Sequence, residues 1–443
     1  MLLYYLRLAV RSALATPALT ALTAGAIALG VAVPTALISI YEVFSRNPIP
    51  GKSDVLFNVR VDNWDPHSQF FDIRPGDPPK QIAYRDMRGL MASDLPRYRS
   101  GIGGAGVFVF PEDGKIRPYR TVVTLAHADF FPMFEVPFRF GGGWNRKADE
   151  RPERVVVLSE EANERLYGGA DSVGRRVRLG TESFTIVGVL DRYRPVPQFY
   201  DVINNAMGKP REFIVPFDTI RETAVGLGVA GNTDSWGSFP ATDLVAVLDN
   251  AEVNWIQYWV ELTPDRVADY ESFLSSYAAS QRELGRFPKP DNHRVTPVME
   301  WMSVRAVAPP AARGLVVISL LFLAVCCLNL TGLLLGKFLA RSGVLGVHRA
   351  LGAPRSSIFL QRLLECELIG VAGGLVGLLF AAGGLALLGR VLPPGIGSPD
   401  LFGANAFSLG VAVALALAAG LASGIYPAWR ACRIPPAIQL KLQ

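Results

Sequence analysis

Four stretches of this chain, 12–41, 314–336, 368–389 and 401–429, contain no Asp, Glu, Lys or Arg at all. An α-helix needs about 20 apolar residues to cross the roughly 30 Å hydrocarbon core of a bilayer, and each stretch is long enough. Half of the 443 residues are hydrophobic and only 19% are charged, an excess of apolar side chains that four membrane helices account for. The first apolar run is too long for the centre of a cleavable signal peptide, so it reads as a retained anchor.

Charge fixes the orientation. The N-terminal tail, the segment after the second apolar stretch and the C-terminus together carry ten basic residues, Arg349 and Arg355 among them, against two acidic ones, Glu365 and Glu367. The long middle segment, 42–313, holds 33 basic against 36 acidic residues. The positive-inside rule therefore places both termini and the 337–367 loop in the cytoplasm and the middle segment outside. The net charge of +5 reports topology, and no nucleic-acid partner is expected.

The expected architecture is an integral membrane α-helical protein: four transmembrane helices with a large extracytoplasmic α+β domain inserted between the first and second. Its segments run as an interfacial amphipathic helix 1–14, first span 15–43, extracytoplasmic domain 44–312 with room for two subdomains, second span 313–336, cytoplasmic loop 337–366, third span 367–389, short external loop 390–403, fourth span 404–429 and cytoplasmic tail 430–443. Within the domain, alternation over 55–61 and short apolar runs at 106–110, 120–125, 155–158 and 255–262 predict strands. Helices are expected over 82–95, 160–167 and 266–284, the second capped by Ser159 and closed by Gly168 and Gly169. Residues 175–179 and 184–190 predict a hairpin, and 191–237 reads as loop. Strands at both ends of the insertion imply that the domain closes on itself.

Little catalytic chemistry is visible. Gly51-Lys52-Ser53 resembles the end of a phosphate-binding loop, but Arg46 stands where its first glycine belongs. The histidines, His67, His127, His293 and His348, lack zinc-ligand spacing, and Asp62, Asp65 and Asp72 read as solvated surface. The four cysteines, Cys326, Cys327, Cys366 and Cys432, all lie in or beside apolar stretches, so the external domain is expected to hold without disulfides. No apolar stretch carries a charge that a coupling ion could use, and Glu365 and Glu367 read as interfacial anchors, so energy should come from a partner. The third stretch carries Gly370/Gly374 and Gly373/Gly377, small-xxx-small pairs suited to tight helix packing.

The cytoplasmic string Gly346-Val347-His348-Arg349-Ala350-Leu351-Gly352-Ala353-Pro354-Arg355, then Leu363-Leu364-Glu365, and the closing Gly424-Ile425-Tyr426-Pro427-Ala428-Trp429-Arg430-Ala431 resemble the permease domain of MacB-type and FtsX-type ABC transporter subunits. In the external segment, Asp129 to Pro137, Val155 to Glu160, Ser172 to Leu179 and Phe184 to Val189 look like successive elements of the MacB-like periplasmic core. The resemblance implies a coupling loop, Leu345 to Gly352 with Arg355, that docks on a cytoplasmic ABC ATPase, which binds ATP and Mg; this chain itself is expected to take no cofactor or metal. It also implies a dimer with a second permease copy or sister permease, membrane lipid around the spans, and in some systems a periplasmic adaptor and outer-membrane channel. Some members carry a fused N-terminal ATPase, whereas this chain starts at its first span, so a separate ATPase polypeptide is expected. Val344 departs from the acidic residue usual there, which removes one possible ion pair or marks a specialised partner. The implied role is a non-catalytic export permease working by mechanotransmission; the alternative is a regulator of an envelope hydrolase or adaptor that moves no cargo.

Overall fold

The computed structural model describes residues 2–340, 352–391 and 406–433, apart from 66, 69, 71–73, 112–115, 152, 224–227, 238–243, 288 and 290. It forms two compact units, Met1–Ser45 with Ala308–Gln443, and Arg46–Val307.

The first unit opens with α1 (Leu2–Leu14), which keeps Arg7 and Arg11 exposed and buries Ala9. A break at Ala15 and Thr16 leads into α2 (Pro17–Ser45), where proline occupies the first helical position and forfeits no hydrogen bond.

In the inserted unit the strands of the ten-stranded sheet are β1 (Leu56–Arg60), β2 (Tyr98–Phe110), β3 (Tyr119–Ala126), β4 (Phe138–Gly141), β5 (Val155–Leu158), β6 (Arg176–Leu179), β7 (Glu182–Leu190), β8 (Phe213–Pro216), β9 (Gln257–Glu261) and β10 (Arg294–Pro297). The longest strand, β2, pairs with β9 through its first half and with β3 through its second. From there pairing runs β3, β8, β5, β7, β6 and back to β2, a closed circuit that leaves these strands few open edges. On the other side β9 pairs with β1 and β1 with β10, so the two ends of the insertion meet, Phe57 opposite Pro297.

The alternation over 55–61 suggests one wet face, yet every residue of β1 and β9 is buried. Tyr270 and Leu274 of the helix Val267–Glu283 (α5), and Leu90 of the helix Tyr84–Leu90 (α3), join the same core as Phe57, Val59 and Val260. Between them in sequence, α4 spans Glu160–Tyr167. Helix α4 is capped as its sequence predicts: the Ser159 hydroxyl accepts from Ala162 N at 3.1 Å, and Gly168 ends it at φ +65°. Strand β8 lies inside the tract read as loop. Its run Phe213-Ile214-Val215-Pro216 is only four residues long, too short for periodicity to mark, and it forms because β3 and β5 flank it.

The chain returns to the first unit in α6 (Pro310–Ala340), α7 (Arg355–Val391) and α8 (Ala406–Arg433). Among the described residues, these and α2 are the four helices long and apolar enough to cross a membrane. Their outward side chains are apolar, Leu328 and Leu379 being 73% and 70% exposed, which suits lipid and not water. The 37 residues of α7 span about 55 Å, well beyond a hydrocarbon core, so part of this helix stands outside it. The segment read as a 337–366 loop is thus helical at both ends, because hydropathy marks only the greasy part of a helix.

Candidate functional site

Of the coupling-loop residues, Leu345, Gly346, Val347, His348, Arg349, Ala350 and Leu351 lie outside the described residues. Gly352 adopts φ +94°, a conformation that a side chain would strain, and Pro354 O then receives Ser357 N at 3.1 Å to start α7. Arg355 opens that helix with its side chain exposed. A cation in the first helical turn is opposed by the helix dipole by about 0.3–1 kcal/mol, so its charge does not serve the helix.

A buried ion cluster ties the helix ends that flank this loop. Glu365 Oε1 accepts from Lys337 Nζ at 2.8 Å and from the Ser12 hydroxyl at 2.8 Å, while Oε2 accepts from Arg362 Nη1 at 2.7 Å. Lys337 also reaches Thr20 Oγ1 at 3.3 Å, and the Arg362 guanidinium lies 4.9 Å from the Phe338 ring centre. Side-chain exposures of 0% for Glu365, 1% for Lys337 and 5% for Arg362 put the trio out of solvent. One carboxylate therefore joins α1, α6 and α7, with α2 attached through Thr20. This corrects the expectation that Glu365 is an interfacial anchor: its position at the edge of an apolar stretch does not show that two cations converge on it. Glu367 faces Gly420 of α8, and among the described residues its buried oxygens have no hydrogen-bond partner.

The glycines of α7 face two different helices. A Cβ on Gly373 or Gly377 would sit 2.7 Å from Ala24 O or Ala28 O of α2, and on Gly374 2.3 Å from Ala416 Cβ of α8. Gly370 would approach Ala416 O and Gly420 Cα at 3.3 Å. The two small-xxx-small pairs are offset by three residues, about 60° around a helix of 3.6 residues per turn, so they serve different neighbours.

The inserted domain holds a polar cavity of about 350 Å³, lined by Arg88, Arg99, His127, Asp129, Arg146, Asp149 and Glu150 beside Met91 and Ala92. Asp129 accepts from Arg146 Nε and Nη2 at 2.7 and 2.8 Å. Asp149 accepts from Ala128 N at 2.8 Å and Trp144 Nε1 at 3.0 Å. Burial, with Asp129 and Asp218 nearby, raises the Asp149 carboxyl to about 7, and burial lowers His127 to about 4. Sequence reading weighs His127 only as a zinc ligand and meets Asp129 only within the family resemblance; it does not join these residues into a site, since they are spread along the chain from 88 to 150 and no spacing links them.

These two groups oppose each other in acid. Unfolded histidine takes its proton near 6.5 and folded His127 only near 4, so stability drains as pH falls through that window. Folded Asp149 holds a proton up to about 7 against 3.8 unfolded, so it adds stability as pH falls through the same range. Asp149→Asn is expected to unmask the histidine, with urea titrations in detergent losing about 1.4 kcal/mol per pH unit between 6.5 and 4.5 relative to wild type. Parallel pH profiles for the two proteins would contradict this.

The helices, their charge-marked orientation and the folded insertion define a multi-pass membrane protein with a large periplasmic or extracellular domain. Residues 20–265 match the model of the MacB-like periplasmic core domain, and residues 316–436 that of the FtsX-like permease C-terminal. The chain belongs to the MacB/FtsX-like family of ABC transporter permeases. It is 24% identical over 345 residues to the macrolide export ATP-binding/permease protein MacB of Syntrophobacter fumaroxidans, covering 71% of this chain and 46% of that one. The uncharacterized ABC transporter permease YvrN of Bacillus subtilis is 24% identical over 71% of this chain and 68% of its own. The pyoverdine export ATP-binding/permease protein PvdT of Pseudomonas aeruginosa is 24% identical over 73% of this chain and 43% of its own. The chain thus spans less than half the length of two of these relatives.

Proposed function

We propose that this protein is the transmembrane subunit of an ABC exporter or extrusion machine, coupling ATP hydrolysis by a cytoplasmic ATPase in a partner chain to movement of the extracytoplasmic domain. The observation that carries the reading is the Glu365 cluster: the helices entering and leaving the 345–352 segment are locked to each other and to α1, so a push there moves several helices together. Exposed Arg355 and the left-handed Gly352 suit a docking loop, and Arg349 supplies a charge for the ATPase groove. The permease is non-catalytic and acts as a dimer with a second copy or a sister permease. Its cargo is met at the outer face, and the chemistry of such machines suggests a peptide, antibiotic, lipid-linked molecule or lipoprotein. Export in the names of two relatives supports cargo movement over the regulation of an envelope hydrolase.

Arg349→Glu is expected to lower stimulation of the co-purified ATPase about tenfold, the loss of one charge-assisted contact. Unchanged stimulation would refute the assigned contact. Crosslinks from the external domain that return an envelope hydrolase and no exported molecule would favour the regulatory reading.

A further inference from the structure

Among the described residues, the polar cavity is lined by a buried group with nothing to bond. The ring of His127 is 3% exposed and stacked on Phe217, with centroids 5.3 Å apart. Its Nδ1 accepts from Gly101 N at 3.2 Å, which leaves the neutral ring its proton on Nε2. That N–H has no partner among the described residues. A buried donor left open costs about 1–3 kcal/mol, which an acceptor entering the cavity would offset.

Around it the charged side chains are equal in number, Arg88, Arg99 and Arg146 against Asp129, Asp149 and Glu150. Arg88 commits Nη1 to Asp218, and Arg146 commits Nε and Nη2 to Asp129 with Nη2 also donating to Arg97 O at 3.2 Å, so each planar fork retains other N–H groups. Asp149 and Glu150 add carboxyls to the lining, and Met91 and Ala92 apolar surface. A simple anion would meet the guanidiniums but also these carboxyls, and a simple cation the reverse. A molecule with both charges at its ends satisfies both sets, and about 350 Å³ is at the small end of ligand sites.

We propose that this cavity binds a small zwitterion of amino-acid or dipeptide size, its carboxylate toward Arg88, Arg146 and the His127 N–H, and its ammonium toward Asp149 and Glu150. An ammonium beside Asp149 favours the ionised carboxyl, so binding below neutrality releases a proton. The site would let the external domain sense or hold such a ligand independently of any ATPase contact.

Calorimetry on the full chain in nanodiscs tests this with L-alanyl-L-alanine, N-acetyl-L-alanine and ethylamine as probes. The dipeptide is expected to bind saturably in the millimolar range or tighter, with the single-charge probes at least about tenfold weaker. At pH 6.5 its apparent enthalpy should vary with the ionisation enthalpy of the buffer, reporting proton release. Arg88→Gln and Glu150→Gln change exposed side chains and should each weaken the dipeptide about tenfold while leaving the circular dichroism unchanged. Absence of saturable dipeptide binding, equal binding of the single-charge probes, or binding indifferent to both substitutions would each overturn the proposal.

Discussion

Glu365→Ala should destabilise the helical unit by about 3–5 kcal/mol, because it leaves Lys337 and Arg362 buried with no counter-charge. Such a loss is a large fraction of the total stability of most folds, so the variant is expected to accumulate poorly in membranes and to melt far below wild type in detergent. Charge, not volume, is the cause: Glu365→Asp should recover much of the loss, and Glu365→Gln should recover little, since an amide accepts hydrogen bonds but neutralises neither cation. Equal melting temperatures for Glu365→Ala and wild type would mean that water reaches the cluster and that it does not lock the helices. If the cluster transmits motion, Glu365→Asp should also blunt ATPase stimulation more than it lowers the melting temperature.

The second large effect is expected from Gly377→Leu. An added Cβ would stand 2.7 Å from Ala28 O and 3.2 Å from Ala28 Cα, backbone atoms that cannot swing aside, so α7 and α2 must separate along their contact. Overpacking of this kind costs about 1–3 kcal/mol, and more where the obstacle is main chain. The same helix supplies its control, because Gly383 and Gly384 have nothing within 4 Å of an added Cβ. Gly383→Leu should therefore leave thermal stability within about 0.5 kcal/mol of wild type. If both substitutions behave alike, the contact between α7 and α2 is not the reason glycine stands at 377.

Local pattern accounts for much of this architecture. The uncharged stretches, the clustering of Arg and Lys beside them, and the Ser159 cap with its closing Gly168 all act within a few residues, and each element appears where that physics puts it. Hydropathy marked the greasy core of α7 and stopped near 367, although its helix begins twelve residues earlier, because polar residues can continue a helix without lying in lipid. It also passed over β8, whose four residues become a strand only when neighbours on both sides supply hydrogen bonds.

Sequence by itself determined that the chain crosses a membrane, which way it faces, and that a folded domain sits between the first two spans, since transfer of side chains into lipid and the bias of positive charge are properties of short segments. Only the tertiary structure decided that Glu365 meets Lys337 and Ser12, a residue 353 positions away, that the glycines of α7 divide between α2 and α8, and that His127 faces a cavity of balanced charge. Those outcomes depend on which faces converge in space, and no pattern confined to neighbouring residues encodes the distance between side chains so far apart along the chain.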